Sequence, residues 1–279
     1  MFCKVGFKNI IMKNIGFIFF LFLCSFMPQK IAFQTELDDV LAKAKKINNA
    51  FTYGEKLTYR VHYGPLDGGK AYFSIDANPQ LVNNRNTYYV KVNGKSAGLV
   101  DMMFKVKDEF ESYIDQEALV PLKSTKKIKE GKYTDTDFII FDHAGKTASG
   151  KRGKTEIVTN TQDIISAIYY ARSLDMTNAK PGDIFPVPFY LDGKTYELRF
   201  KFEKREIIES ELGKFKTIKV KPQLIEGRVF KDNEALTLWV TDDDNKIPVR
   251  VESDIFVGSI KVDLLEMSGI RNPLTSIVK

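Results

Sequence analysis

Leu57-Thr58-Tyr59-Arg60-Val61-His62-Tyr63 places apolar and aromatic side chains at odd positions and polar ones at even positions. Successive side chains of a strand point to opposite faces, so this period of two predicts a half-buried β-strand. A helix would need its apolar residues three and four apart. Gly64-Pro65-Leu66-Asp67-Gly68-Gly69 reads as a turn cluster, and Ala71–Ile75 as the returning arm of a hairpin. The same reading extends to Thr87–Asn93, Phe104–Ile114, Leu119–Ile128 and Lys132–Phe141. Asp142–Lys154 is read as a loop or an exposed hairpin tip. Strands resume at Ile184–Tyr190, Thr195–Ile208, Leu212–Lys221, Ala235–Thr241, Ile247–Ile255 and Ser259–Glu266.

One helix interrupts this pattern, at residues 161–174. Ile164, Ile165, Ile168, Tyr169 and Ala171 form its apolar stripe, Asn160 or Thr161 is placed to cap it, and Asp163 lies in its first turn. Residues 35–50 read as a short N-terminal helix or a loosely held segment, and Ser268–Lys279 as a loose tail. Two hairpins look alike: Tyr113-Ile114-Asp115 to Pro121-Leu122-Lys123, and Trp239-Val240-Thr241 to Pro248-Val249-Arg250. The likeness is either a trace of two related lobes, 51–142 and 183–266, or a pattern that any hairpin drifts toward. No period of 20–50 residues repeats, which excludes a solenoid or propeller.

The net charge of +6 over 279 residues is concentrated at the start. Residues 1–32 hold Lys4, Lys8, Lys13 and Lys30 and no acid, so the remainder carries only +2, too little for a nucleic-acid footprint. An apolar run, Ile15–Met27, follows the basic segment and is closed by Pro28. Its length fits a signal-peptide core of about 7–15 residues and falls short of the roughly 20 needed to span a bilayer. Residues 1–32 are therefore read as a signal peptide, cleaved near Ala32. A lipid anchor at Cys24 and an uncleaved anchor are the alternatives. Both cysteines, Cys3 and Cys24, lie in this leader, so disulfides, thiolate metal sites and cysteine nucleophiles are excluded from the rest.

Catalytic patterns are sparse. His62 and His143 are the two histidines, no G-x-S-x-G elbow is present, and no spacing matches H-E-x-x-H. Asp242-Asp243-Asp244-Asn245 and the pair Asp135/Asp137 carry oxygen ligands suited to calcium, but turn formation explains the first and neither has EF-hand spacing. No catalytic, cofactor or metal role is assigned to any residue. The 33 Phe and Tyr residues and the single Trp239 either fill the core or line an apolar ligand cavity.

Three blocks carry a resemblance. These are Gly54-Glu55-Lys56-Leu57-Thr58-Tyr59 with Gly69-Lys70-Ala71, then Gln162-Asp163-Ile164-Ile165-Ser166-Ala167-Ile168-Tyr169-Tyr170-Ala171-Arg172, and last Leu238-Trp239-Val240-Thr241-Asp242-Asp243 through Pro248, with Val257-Gly258-Ser259 after it. They resemble an uncharacterised family of exported proteins common in Bacteroidetes, over about residues 51–268. The Trp239–Arg250 hairpin is also similar to one in lipoprotein carriers of the LolA and LolB type, which hold acyl chains in an open β half-barrel plugged by helices.

The expectation is thus a mainly β chain, a strongly curved antiparallel sheet or open β-barrel, with one packed helix at about 161–174 and a short N-terminal helix. Its parts are a signal peptide (1–32), an N-terminal helix or linker (33–50), a single β domain (51–268) and a C-terminal tail (269–279). The expected function is non-enzymatic: an exported periplasmic protein, membrane-associated or free, that binds a lipid or acyl chain. Tyr169, Tyr170, Arg172 and Trp239 are expected at the cavity or its mouth, with Arg172 meeting a head group or pairing with an acid such as Asp163. The alternatives are a structural or protein- or glycan-binding module of the envelope, with an envelope protein as partner, and, more remotely, a carbohydrate-active hydrolase. No nucleic-acid partner is expected, nor integral membrane insertion after cleavage.

Overall fold

The alternation at Leu57–Tyr63 is realised as a strand whose Leu57 and Tyr59 are buried between exposed or half-buried neighbours. The computed structural model describes residues 47–223, 236–254 and 258–278. In chain order it contains β1 (Lys56–Tyr63), β2 (Leu66–Ile75), β3 (Gln80–Val82), β4 (Arg85–Ser96), α1 (Gly98–Met103), β5 (Lys107–Asp115), β6 (Pro121–Glu130), β7 (Tyr133–Asp142), β8 (Thr147–Gly150) and β9 (Gly153–Glu156). After these come α2 (Ile164–Arg172), β10 (Ile184–Leu191), β11 (Lys194–Ser210), β12 (Gly213–Gln223), β13 (Leu236–Thr241), β14 (Pro248–Asp254), β15 (Ser259–Ser268) and β16 (Ile277–Val278).

All of these strands belong to one antiparallel sheet, ordered β10-β11-β12-β13-β14-β15-β1-β2-β4-β5-β6-β7-β8-β9, with β3 added beside β4 and β16 beside β12. It consists of two meanders joined where β15 pairs β1. In each meander the fourth and fifth strands of the main run form one of the look-alike hairpins. Both hairpins carry an irregularity at the same place: Ile114 pairs Pro121 and Tyr113 pairs Lys123, while Val240 pairs Pro248 and Trp239 pairs Arg250. An extra residue bends the strand and increases its twist, which curls the sheet.

The curl brings the two ends of the sheet together without closing the ladder. Pro186 and Pro188 in β10 suit it to an edge, because proline lacks a backbone donor. Gln162 covers part of that edge: its N–H donates to Pro188 O at 2.7 Å, and Tyr190 N–H donates to its carbonyl at 2.8 Å. Near the β10–β11 turn the contact with β9 is made by side chains. Thr155 Oγ1 donates to Gly193 O at 2.7 Å and Thr195 Oγ1 to Glu156 O at 3.1 Å. Charges reinforce the seam. Arg152 Nη1 lies 2.8 Å from Asp192 and 3.0 Å from Asp137, and Lys126 Nζ lies 3.0 Å from Asp192 and 3.1 Å from Asp135.

Several expectations change. Of the two readings of Asp142–Lys154, loop or hairpin tip, the hairpin is the one formed: the segment makes the end of β7 and most of the β8–β9 hairpin. Phe104–Lys105 leads out of the short helix α1 and is not strand. Gly68 and Gly69 belong to β2 rather than to the turn, and a Cβ on Gly69 would stand 2.3 Å from Lys95 O. Glycine there permits β2 and β4 to approach. The C-terminal residues are docked, not loose: β16 pairs β12, Ser276 is fully buried, and Arg271 Nη1 donates to Phe51 O at 3.2 Å. Residues 1–32 and most of 33–50 lie outside the described residues, and the described 47–50 are not helical. Among the described residues no helix is long and apolar enough to cross a membrane.

The charged seam gives an acid-sensitive closure. Hydrogen bonds from Lys151 and Lys126 hold the Asp135 carboxyl at about 2, below its ordinary 3.8. The unfolded chain therefore binds this proton first, and the stability from the seam is present above about pH 4 and lost as pH falls toward 2. Thermal melts between pH 5 and pH 2 should show that loss, and Asp135→Asn should flatten it.

Candidate functional site

Helix α2 begins where Asp163 accepts hydrogen bonds from Ile165 N at 2.8 Å and Ser166 N at 2.7 Å, while Asp163 N donates to Ser166 Oγ at 2.8 Å. This is a capping box, so the cap is Asp163 rather than Asn160 or Thr161. Ser112 Oγ of β5 donates to the remaining carboxylate oxygen at 2.7 Å and ties the helix start to the sheet.

The helix is apolar on two sides. Ile165, Ser166, Tyr169 and Tyr170 are buried toward the main core, where Phe51 meets Tyr169 edge-to-face at 4.9 Å and Tyr88 at 5.1 Å. The other stripe, Ile164, Ala167, Ile168 and Ala171, follows i, i+3, i+4, i+7 spacing and faces a cavity of about 300 Å³. The opposite wall is the concave face of the sheet, with Phe200, Val220, Leu238, Val262 and Leu57 drawn from five strands. Ile164 and Ile168 on the helix and Leu198 and Leu238 on the sheet are only half-buried, and the space communicates with solvent. Its volume lies at the lower end of the about 300–1,000 Å³ typical of ligand pockets.

A buried polar knot stands at one end of the cavity. Arg172 is 3% exposed. Its Nη1 and Nη2 donate to Glu55 Oε1 and Oε2 at 2.6 and 2.8 Å, Nη2 also to Ala50 O at 3.2 Å, and Nε to Asn245 O at 3.1 Å. Burial opposes its charge, and the Glu55 carboxylate more than offsets that, keeping the guanidinium above its ordinary value. Tyr59 and Tyr169 adjoin the knot, and burial raises both phenols. The Tyr169 side chain lines the cavity, while its hydroxyl is buried away from that space with no hydrogen-bond partner among the described residues. Lys246, in a turn at φ 44°, also reaches the cavity. Burial lowers its ammonium below the usual lysine range, against the pull of Asp244, Asp175 and Asp243.

The four expected site residues therefore separate. Tyr169 and Arg172 are on the cavity wall. Tyr170 is buried in the core behind the helix, its hydroxyl also unpartnered among the described residues. Trp239 is on the other face of β13, because Leu236, Leu238 and Val240 take the cavity side and a strand alternates. Its Nε1 donates to Glu206 Oε1 at 2.9 Å and Lys219 Nζ sits 5.0 Å over its ring. Arg172 pairs with Glu55, not Asp163, whose carboxylate is used by the helix cap. Sequence reading missed Tyr59, Phe200 and Lys246. Alternation along β1 and β11 marks the first two as inward residues, whereas no local pattern marks Lys246.

The acidic clusters are structural. Asp243 accepts from Thr241 Oγ1 at 2.8 Å and Ser276 Oγ at 2.7 Å, and Asn245 exchanges hydrogen bonds with Asn272. Asp135 and Asp137 face Lys126, Lys151 and Arg152. The histidines lie apart: His62 Nε2 is 2.9 Å from Asp263, while His143 Nε2 donates to Pro121 O at 2.8 Å.

The family model described as "Protein of unknown function (DUF3108)" matches residues 58–265. No curated protein matches the chain. Among solved structures, a β-barrel-like protein of the domain of unknown function DUF1849 from Brucella abortus superposes with a TM-score of 0.53 at 8% identity, covering 78% of this chain and 99% of that one. That likeness shows a shared fold. A candidate lipoprotein from Parabacteroides distasonis (TM-score 0.35, 14% identity, 78% and 97% of the two chains) and a candidate exported protein with a YmcC-like fold from Bacteroides fragilis (0.33, 12%, 78% and 97%) also match.

Removing one partner of a buried ion pair strands the other charge and costs about 3–5 kcal/mol. Arg172→Met should destabilise the protein by about that amount in urea titrations. The double variant Glu55→Leu/Arg172→Met should recover part of the loss.

Proposed function

Since the chain belongs to the DUF3108 family of proteins of unknown function, its role has to be read from its own site, and we propose that it is an exported, non-enzymatic envelope protein that holds a lipid or acyl chain in the cavity beneath α2. The observation that carries this reading is the second apolar stripe of α2. A helix that served only to plug the sheet would bury both of its apolar sides. Here Ile164, Ile168 and Ala171 instead stay half-buried against an apolar space of about 300 Å³ that is open to solvent. Such a space accepts an apolar molecule with little reorganisation.

The polar groups at the cavity fit binding better than hydrolysis. Glycoside hydrolysis needs two carboxyl groups working across a cleft. The carboxylate at this end, Glu55, has both oxygens occupied by Arg172. The surface the cavity presents is almost wholly apolar, so it suits the hydrocarbon part of a ligand and leaves a polar end to the solvent-facing mouth.

Titration with a fluorescent fatty acid tests the reading. Saturable binding of one molecule per chain is expected. Ala171→Phe, which fills the cavity from the helix side, should weaken it by roughly tenfold or more, about 1.4 kcal/mol or above, with the melting temperature little changed. Trp239→Phe, on the opposite sheet face, should leave it intact. If Ala171→Phe binds as well as the native chain, the cavity is not the site. If neither fatty acids nor phospholipids bind, the envelope-module alternative takes its place.

A further inference from the structure

We propose that the β4–α1–β5 connection is a wedge that inserts into an anionic lipid surface. Met102 and Met103 at its tip are 84% and 87% exposed, and the following Phe104 is 51% exposed. Consecutive large apolar residues standing free in water are a mark of an interaction surface, unlike a singly exposed leucine. Methionine, unbranched and adaptable, suits a disordered acyl boundary.

The tip is held in shape. Phe104 N–H donates to Val100 O at 2.7 Å, Ser96 Oγ donates to Asp101 at 2.5 Å, and Val106 N–H donates to Ser96 Oγ at 2.8 Å. Hydrogen bonds from Ala97 N to Gly68 O at 3.0 Å and from Gly131 N to Lys105 O at 2.8 Å fasten it to β2 and to the β6–β7 turn. The Phe104 ring lies against Gly131, where a Cβ would come within 2.9 Å of it. Exposure of the methionines is therefore built in and does not come from a frayed end.

Charge selects the partner. Lys95, Lys105 and Lys132 are exposed around the tip, and none has an ion-pair partner among the described residues. Of the nearby acids Asp67 is paired with Arg60, while Asp101, Asp108 and Glu130 keep their charge; exposed Lys70, directly across from Lys95 in the β2–β4 ladder, and exposed Lys129 add cations that leave this face net positive. Apolar side chains inside a ring of lysines match the boundary between acyl chains and anionic head groups. The proposal stands apart from the cavity, and either can fail alone.

The test uses the full chain with a reporter confined to the tip, so that its N-terminal apolar run does not contribute to the signal. Trp239→Phe removes the single native tryptophan and Met103→Trp places one in the loop. Vesicles of mixed phosphatidylglycerol and phosphatidylcholine should shift its emission to the blue, and brominated lipids should quench it. Adding Lys105→Glu/Lys132→Glu should weaken the response by at least roughly tenfold, as should replacing the anionic lipid by phosphatidylcholine alone. An unshifted emission with anionic vesicles would overturn the proposal. So would an equal response on neutral vesicles, or a tip already shielded in vesicle-free solution, which would assign the patch to a protein contact.

Discussion

The buried Arg172–Glu55 pair is the constraint on which the other parts depend. Charges taken out of water must be matched almost completely, because the loss of solvation rivals the attraction between them. Arg172 meets this demand with donors directed to Glu55, Ala50 and Asn245. Those acceptors come from the approach to β1, the segment before it and the β13–β14 turn. One guanidinium thus joins the end of α2 to both meanders, and the turn that it grips also holds the C-terminal segment through Asn272.

The cavity follows from that fixture. Asp163 and Ser112 hold one end of α2, and Arg172 holds the other. A nine-residue helix pinned at both ends cannot slide to bury every apolar face. It packs Tyr169 and Tyr170 into the core around Phe51 and leaves Ile164, Ile168 and Ala171 across a gap from the curved sheet. The curl of the sheet arises separately, from paired strand irregularities and a side-chain seam between β9 and the β10–β11 turn. Rigid helix placement and sheet curvature together set the size of the space.

Much of the fold was legible in local sequence, because strand alternation and helix spacing are properties of short segments. The strands from Leu57 to Glu266 and the helix near 161–174 follow from that. What was not legible has a common cause. The helix α1 lacks a side-chain cap and has six residues, so no local signal announces it. The docked C-terminal residues have no periodicity and are ordered by Asn245, Asp243 and β12. Aromatic character alone points Trp239 toward the cavity, whereas the alternation with Leu238 and Val240 assigns it to the other face.

The sequence by itself determined the mainly β architecture, the central helix and the two matching hairpins, since each rests on residues within a few positions of one another. Only the tertiary structure decided that Arg172 meets Glu55, 117 residues away, that Tyr169 faces the cavity while Tyr170 does not, and that Lys246 stands at its edge. Those outcomes depend on which distant strands become neighbours. Strand register and sheet curvature settle that choice, and no short window of residues contains it.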